Sequence, residues 1–359
     1  MKILFDCRYT RIGRHDGISR YTASLVTAVS RMRPVTMMIS DERQLDMLPD
    51  LPWVKGPSPT AITEPLAALY VNKFTPDVVF TPMQTMGPWG RRFKLVTTVH
   101  DLIYYTNRTP PRDLAWPVKI VWRVYHLWWG FQRGLLNRAD AHLADSETTR
   151  DLMVRHRLTR NPISVVVLGT ETAPIAESRT PPAERNLVYM GSFMPYKNVE
   201  LLARALHALL GYRLHLMSGI SGADRERISA LAPADALRFY DGATDEVYRD
   251  ILSNATALVT ASRDEGFGLP LVEAMSLGTP VVVSDIPIFR EIGAEVARYF
   301  DPSDVASCVA AIRALEDEGE WSRRSELARE RATLFDWDRS AAKLLTVLEA
   351  VFADTPVPR

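Results

Sequence analysis

Short apolar runs rich in β-branched residues recur along the chain, separated by polar or amphipathic stretches. One set falls at 3–5, 36–39, 78–80, 95–99, 141–144 and 165–168, and a second at 187–190, 214–217, 237–240, 257–260, 281–283 and 296–300. Short runs without polar alternation fit strands of parallel sheets buried on both faces, and the amphipathic stretches fit crossover helices. Alternating strand and helix predict an α/β fold of doubly wound parallel sheets, and two sets of six predict two such sheets. Between the sets, 171–186 reads ETAPIAESRTPPAERN, polar and proline-rich, which is linker composition.

The most informative unit is 255–285, ATALVTASRDEGFGLPLVEAMSLGTPVVVSD. Two apolar strands bracket a glycine-rich loop and a short helix. Pro270 stands where a fixed φ and a missing N–H cost little, and Gly278 follows the last periodic residue as a stop. The loop 263–269 therefore lies at the carboxyl end of a parallel strand, where helix N-terminal amides bind anions. Glu265 and Glu273 flank it. Carboxylates beside a phosphate site make sense when each accepts hydrogen bonds from neutral hydroxyls on either side of the phosphates, and a nucleotide-sugar has that layout. Gly266 and Gly268 let backbone amides approach closely.

EGFGLPLVEA, with its Glu-x7-Glu spacing, followed by GTPVVVSD and Glu291, resembles the donor-site signature of the retaining nucleotide-sugar glycosyltransferases of family 4, which have the GT-B fold. The resemblance spans nearly the whole chain and is strongest from Gly191 to Glu291. It implies two Rossmann-like domains facing a central cleft: an acceptor-binding domain over 1–175, a linker over 176–186 and a donor-binding domain over 187–338. In relatives the final helix, here about 339–359, crosses back to the first domain. The resemblance implies that Glu265 holds the hexose and Glu273 the ribose, with Gly266, Phe267, Gly268 and Leu269 lining the donor. The stretch NLVYMGSFMPYKNVELL is similar to G-x-x-x-P-R-K-N, keeping Gly191, Pro195, Lys197 and Asn198. Lys197 reaches the diphosphate as a mobile point charge. Ser192 and Tyr196 replace frequent arginines, leaving open whether Lys197 acts with backbone amides and Ser192 or with a second cation such as Arg263. Asp241 and Gly242 look like the segment whose backbone reads the base. In the first half, Gly17-Ile18-Ser19-Arg20-Tyr21 is similar to G-I-G-R-Y. That places Gly17 against the diphosphate and makes Arg20 either a second contact or a brace for its helix. His100, at the end of the fourth predicted strand, reads as structural on its own; the resemblance sets it near the donor hexose and the reacting carbon. Asp101 is expected to orient its loop, and Ser146 to cap a helix, since no nucleophile motif surrounds it.

Composition narrows the picture. The chain has 43 basic and 43 acidic residues, so no global field draws it to nucleic acid. Cys7 and Cys308 lie in different halves without metal-ligand spacing, as expected of free thiols in a reducing cytoplasm. MKILFDCRYT reads as a strand and not a signal peptide, and no run approaches the roughly 18 apolar residues of a membrane span. The expected location is the cytoplasm, or the cytoplasmic face of the inner membrane. From 112 to 138 five basic residues stand against one acidic, interleaved with Trp116, Trp122, Trp128, Trp129 and Phe131. Trp122, Arg123, Trp128 and Trp129 suit an anionic bilayer surface, though the same residues equally suit tryptophans packed on their own domain beneath a solvated cationic face. Asp336 and Asp338 form a D-x-D pattern, read here as a helix N-terminal charge rather than a metal site.

The resemblance implies a retaining hexosyltransferase needing no metal or other cofactor. Its expected partners are a nucleoside diphosphate sugar and a saccharide or lipid-linked saccharide acceptor. His100, Lys197 and Glu265 are the expected catalytic residues. GDP-mannose is the expected donor because the motifs look most like those of bacterial polysaccharide mannosyltransferases. UDP-glucose or another UDP-hexose, a non-catalytic GT-B partner protein, and an epimerase or phosphorylase of this fold are the alternatives.

Overall fold

The computed structural model describes residues 1–13, 15–110, 116–170 and 179–358. Two parallel sheets organise it. The first contains β1 (Ile3–Asp6), β2 (Val35–Ile39), β3 (Trp53–Lys55), β4 (Val78–Thr81), β5 (Lys94–Val99), β6 (Ala141–Ala144) and β7 (Ile163–Val165), in the order β3-β2-β1-β4-β5-β6-β7. The second contains β8 (Asn186–Tyr189), β9 (Arg213–Leu216), β10 (Leu237–Phe239), β11 (Ala257–Thr260), β12 (Val281–Ser284) and β13 (Arg298–Phe300), in the order β10-β9-β8-β11-β12-β13. Strand order reverses between β1 and β4 and again between β8 and β11, so each sheet has a switch point where a doubly wound fold opens a crevice at its carboxyl ends.

The first sheet has seven strands rather than six, because β3 carries no apolar run. It is an edge strand with Trp53 exposed, and its neighbours Pro52 and Gly56 disguise it as a loop. The strand expected at 165–168 pairs at Ile163–Val165 instead; the Val166 N–H makes the last bond to β6, to the Ala144 carbonyl at 2.9 Å, and Leu168 is buried beyond the strand's end.

The chain forms two compact units, Met1–Gly169 with Trp337–Arg359, and Thr170–Asp336. In the first, the final helix Trp337–Phe352 packs on the helix Gly17–Met32, with ion pairs Arg31–Asp338 and Arg33–Glu349. Ser340 Oγ donates to the Val167 carbonyl at 2.6 Å. Asp338 of the D-x-D pattern thus has a cationic partner on a neighbouring helix. In the second unit, the core runs from Leu187 and Val259 to Trp321, whose indole N–H donates to the Thr256 carbonyl at 2.8 Å. Half of the expected linker, 171–178, lies outside the described residues, as do 112–115 of the basic segment. Both cysteines are free and buried, and burial pushes the Cys308 thiol up to about 12.

Candidate active site

In the second unit, two loops meet at the carboxyl ends of β8 and β11. Past β11, Gly268 (φ 98°) is the left-handed residue before the helix Leu269–Ser276. A Cβ there would come within 3.1 Å of the Phe289 ring, so glycine suits both the conformation and the space. Past β8, the turn Pro195–Lys197 ends at Asn198, also left-handed at φ 53°. The Asn198 side-chain amide donates to the carbonyls of Ala261 (3.1 Å) and Pro302 (2.9 Å), and the Arg263 N–H donates to the Tyr196 carbonyl (2.8 Å). These bonds tie the lysine turn to the glutamate loop.

The junction brings Lys197 Nζ to 2.5 Å from Glu265 Oε1, while the Ser262 hydroxyl donates to the same oxygen at 2.8 Å. Both charged side chains are mostly buried, at 15% and 13% exposed. The Tyr196 ring, where an arginine is frequent in the resembling motif, lies 5.3 Å from the ammonium and offers it a π face. Tyr189 is fully buried, and its hydroxyl donates to the Ser192 carbonyl at 2.6 Å. A Cβ at Gly191 would approach that hydroxyl within 2.8 Å, which explains the glycine. Arg263 and Ser192 are exposed, and Gly266, Leu269 and Glu273 are half-buried. Phe267 turns inward and packs edge-on against Phe335 at 5.9 Å, which leaves its backbone rather than its ring to a ligand.

The segment expected to read a base is more committed than the sequence suggested. The N–H groups of Gly242 and Ala243 both donate to the Met217 carbonyl, at 3.1 and 2.9 Å, and Asp241 pairs with Arg225 at 2.5 Å. Those two amides are therefore engaged, and carbonyl oxygens are what this turn has to offer.

In the first unit, His100 follows β5. Its ring nitrogens lie 2.5 Å from Asp145 Oδ2 and 2.6 Å from the Pro82 carbonyl, and Tyr21 packs edge-on at 4.9 Å. Asp101 accepts from the Ile103 N–H (3.0 Å), and Ser146 from the Thr149 N–H (3.0 Å) as N-cap of the helix Glu147–Arg155. Gly17 is exposed at the start of its helix, with Asp16 as the cap; Arg20 is half-buried one turn along. Sequence reasoning missed Arg8, which is buried just past β1. Its guanidinium forks to Asp6 and Glu64 (2.8 Å each) and pins the Pro57 carbonyl (3.1 Å). Asp145 was missed too. Neither forms a motif, and each is found only through contacts distant in sequence.

The four residues expected at a bilayer surface divide. Trp128 (63%) and Arg123 are exposed, beside exposed Trp116, Val124, Leu127 and Phe131. Trp122 packs against Tyr104, and Trp129 stacks on Tyr105 with centroids 3.7 Å apart, so these two belong to the domain's own packing.

A cavity of about 680 Å³ lies elsewhere, against the start of β13, lined by Arg290, Arg298, Tyr299 and Arg324 among others. Its guanidiniums already serve Asp285 and Glu320, whose carboxyl three arginines hold down to about 2 against the opposing effect of burial. It reads as a structural ion network. Among the described residues no three His, Cys, Asp or Glu side chains converge to hold a metal, and no helix is long and apolar enough to cross a membrane.

Two Rossmann-like parallel-sheet units, each with a switch point, define the GT-B class of glycosyltransferases. Sucrose-phosphate synthase from Thermosynechococcus elongatus has the same fold, with a TM-score of 0.76 at 20% identity over 99% of this chain and 100% of that one. Residues 16–173 match the model described as Glycosyltransferase Family 4, and 172–332 the model described as Glycosyl transferases group 1. The chain belongs to this glycosyltransferase family, and its activity is glycosyl transfer. It is 24% identical to the O-antigen chain mannosyltransferase RfbU of Salmonella typhimurium, over 86% of this chain and 89% of that protein. It is 28% identical to an MMP alpha-(1->4)-mannosyltransferase of Mycolicibacterium hassiacum, over 73% of this chain and 66% of that one.

Proposed function

We propose that the protein is a retaining, metal-independent mannosyltransferase that moves mannose from GDP-mannose to a hydroxyl of a saccharide or lipid-linked saccharide. The observation that carries this reading is the Lys197–Glu265 pair, held at the switch point of the second sheet by Ser262 and by the ties between its two loops. A diphosphate arriving there competes for Lys197 and releases Glu265 to accept from sugar hydroxyls. Binding the donor thus converts an internal ion pair into two ligand contacts of the correct sign. The mannosyltransferase names of the two relatives support the sugar.

Retention by double displacement needs two carboxylates about 5 Å apart across the scissile bond. Glu265, which accepts from Ser262 at this loop junction, is assigned to the sugar hydroxyls once the diphosphate has taken Lys197, and not to attack on the anomeric carbon. A front-face reaction fits better. The anomeric carbon–oxygen bond to the diphosphate breaks, the acceptor oxygen bonds on the same face, and the acceptor proton passes to the departing phosphate. Lys197 and the amides before the helix Leu269–Ser276 stabilise the developing charge, and Arg263, exposed on the tied loop, supplies the second cation. Glu273 accepts from the ribose. The exposed apolar and basic surface at Trp116, Arg123, Trp128 and Phe131 seats the enzyme on the cytoplasmic face of an anionic membrane.

Incubation with GDP-mannose, UDP-glucose and UDP-GlcNAc plus an acceptor extract, following release of nucleoside diphosphate, tests the donor. Acceptor-dependent release from GDP-mannose in excess over the others is expected. Preference for a UDP-sugar overturns the donor assignment, and binding without turnover of any donor overturns the enzymatic one.

A further inference from the structure

His100 closes β5 and Asp145 closes β6, strands paired in register through Val99 and Ala144. Adjacent strand ends therefore deliver the two side chains to the same place. Nε2 of His100 lies 2.6 Å from the Pro82 carbonyl, which can only accept, so Nε2 carries a proton. Nδ1 lies 2.5 Å from Asp145 Oδ2. A carboxylate also only accepts, so a second proton must lie between them, and imidazole, the stronger base, takes it. Asp145 is 2% exposed and its Oδ1 has no hydrogen-bond partner among the described residues. A buried carboxylate with an oxygen left bare is tolerable when its partner carries a full opposite charge.

We propose that Asp145 is a positioning residue that fixes His100 as a doubly protonated ring, so that at neutral pH His100 is a positive charge at the end of β5 and not a general base. The groups around it agree. Asp101 adds a second negative charge from the adjoining loop. Tyr21, from the helix Gly17–Met32, faces the ring as a neutral phenol whose hydroxyl burial and Asp145 push up. The Thr149 hydroxyl donates to the backbone carbonyl of His100, at 3.3 Å, and not to its ring. Burial by itself would lower the pKa of His100, but Asp145, the Pro82 carbonyl and Asp101 together raise it above the ordinary value. With the folded pKa raised, the pairing is complete below the ordinary histidine pKa and is lost only as pH rises through the raised one.

The test uses the full chain labelled with ¹⁵N-histidine and long-range proton–nitrogen spectra from about pH 6 to 9, spanning the ordinary value. His100 is assigned by comparison with His100→Gln. Both ring nitrogens should stay protonated where an ordinary histidine has lost one proton. In Asp145→Asn the pKa should fall by about 1 to 3 units, as for loss of an adjacent opposite charge, and Asp145→Glu should restore most of the shift. The kinetic arm rests on the transferase reading: the alkaline limb of kcat/KM for nucleoside diphosphate release should move down with the pKa. A wild-type His100 that titrates at or below the ordinary value overturns the proposal, even if Asp145→Asn fails to fold or no donor turns over. So does an Asp145→Asn protein whose His100 keeps both protons.

Discussion

Lys197 and Glu265 neutralise each other across 2.5 Å in a mostly buried setting. Replacing Glu265 with glutamine keeps the shape, frees the ammonium and removes a negative charge from beside the incoming phosphates. Two unit charges about 5 Å apart interact by about 3 kcal/mol at an effective dielectric of 20. Partial exposure and salt reduce this to about 1–2 kcal/mol, so Glu265→Gln should bind nucleoside diphosphate about 5- to 30-fold more tightly. The same change weakens the acceptor for sugar hydroxyls in the transition state. A charge-assisted contact there is worth about 2–4 kcal/mol, or roughly 30- to 1,000-fold in turnover. Affinity and rate must therefore move in opposite directions, while Lys197→Ala lowers both. Titration calorimetry with GDP and UDP, paired with product release on the same preparations, measures each. A Glu265→Gln protein that loses nucleotide affinity along with rate, or stays within about twofold of wild type in both, would refute the exchange of partners.

Other consequences are equally concrete. His142 is fully buried between Thr97 (2.8 Å) and Thr159 (3.2 Å), and burial pushes its pKa down to about 4. Its contribution to stability is whole above the unfolded value near 6.5 and is lost as pH falls toward 4, by up to about 3 kcal/mol. Urea unfolding from pH 7 to 4 should show that loss, and His142→Gln should flatten it; equal slopes would exclude this origin. Asn198→Ala removes two hydrogen bonds and places alanine at φ 53°, and should cost about 2–4 kcal/mol and slow transfer; unchanged melting and turnover would show that the two loops hold each other without it. Trp128→Ser with Trp116→Ser should abolish flotation with anionic vesicles at unchanged melting temperature. Trp129→Ala, by contrast, should cost about 3–5 kcal/mol, and the reverse pattern would assign the wrong tryptophans to the surface.

Much of the fold was visible because buried parallel strands have few ways to be written. Twelve expected runs each coincide with or adjoin a strand, whereas β3, short and half exposed, has no such signature. The glutamate loop was legible for a related reason: Gly268, Pro270 and Gly278 mark a left-handed entry, a first turn and a stop within eleven residues of chain. Partners were not legible. Lys197 and Glu265 are 68 positions apart, and His100 and Asp145 are 45 apart, so register and loop ties decide who meets whom. The tryptophan segment shows the same limit. Trp128 and Trp129 are neighbours with identical chemistry, and the stacks of Trp129 on Tyr105 and His156 separate a packed ring from an exposed one.

The central claim is same-face transfer of mannose, and the anomeric configuration of the product tests it most directly. Product formed from GDP-mannose in the presence of acceptor and purified for NMR should show the one-bond carbon–proton coupling of an α-mannoside, matching the α configuration of the donor. A β-linked product, or nucleotide release without any new glycoside, would contradict the account.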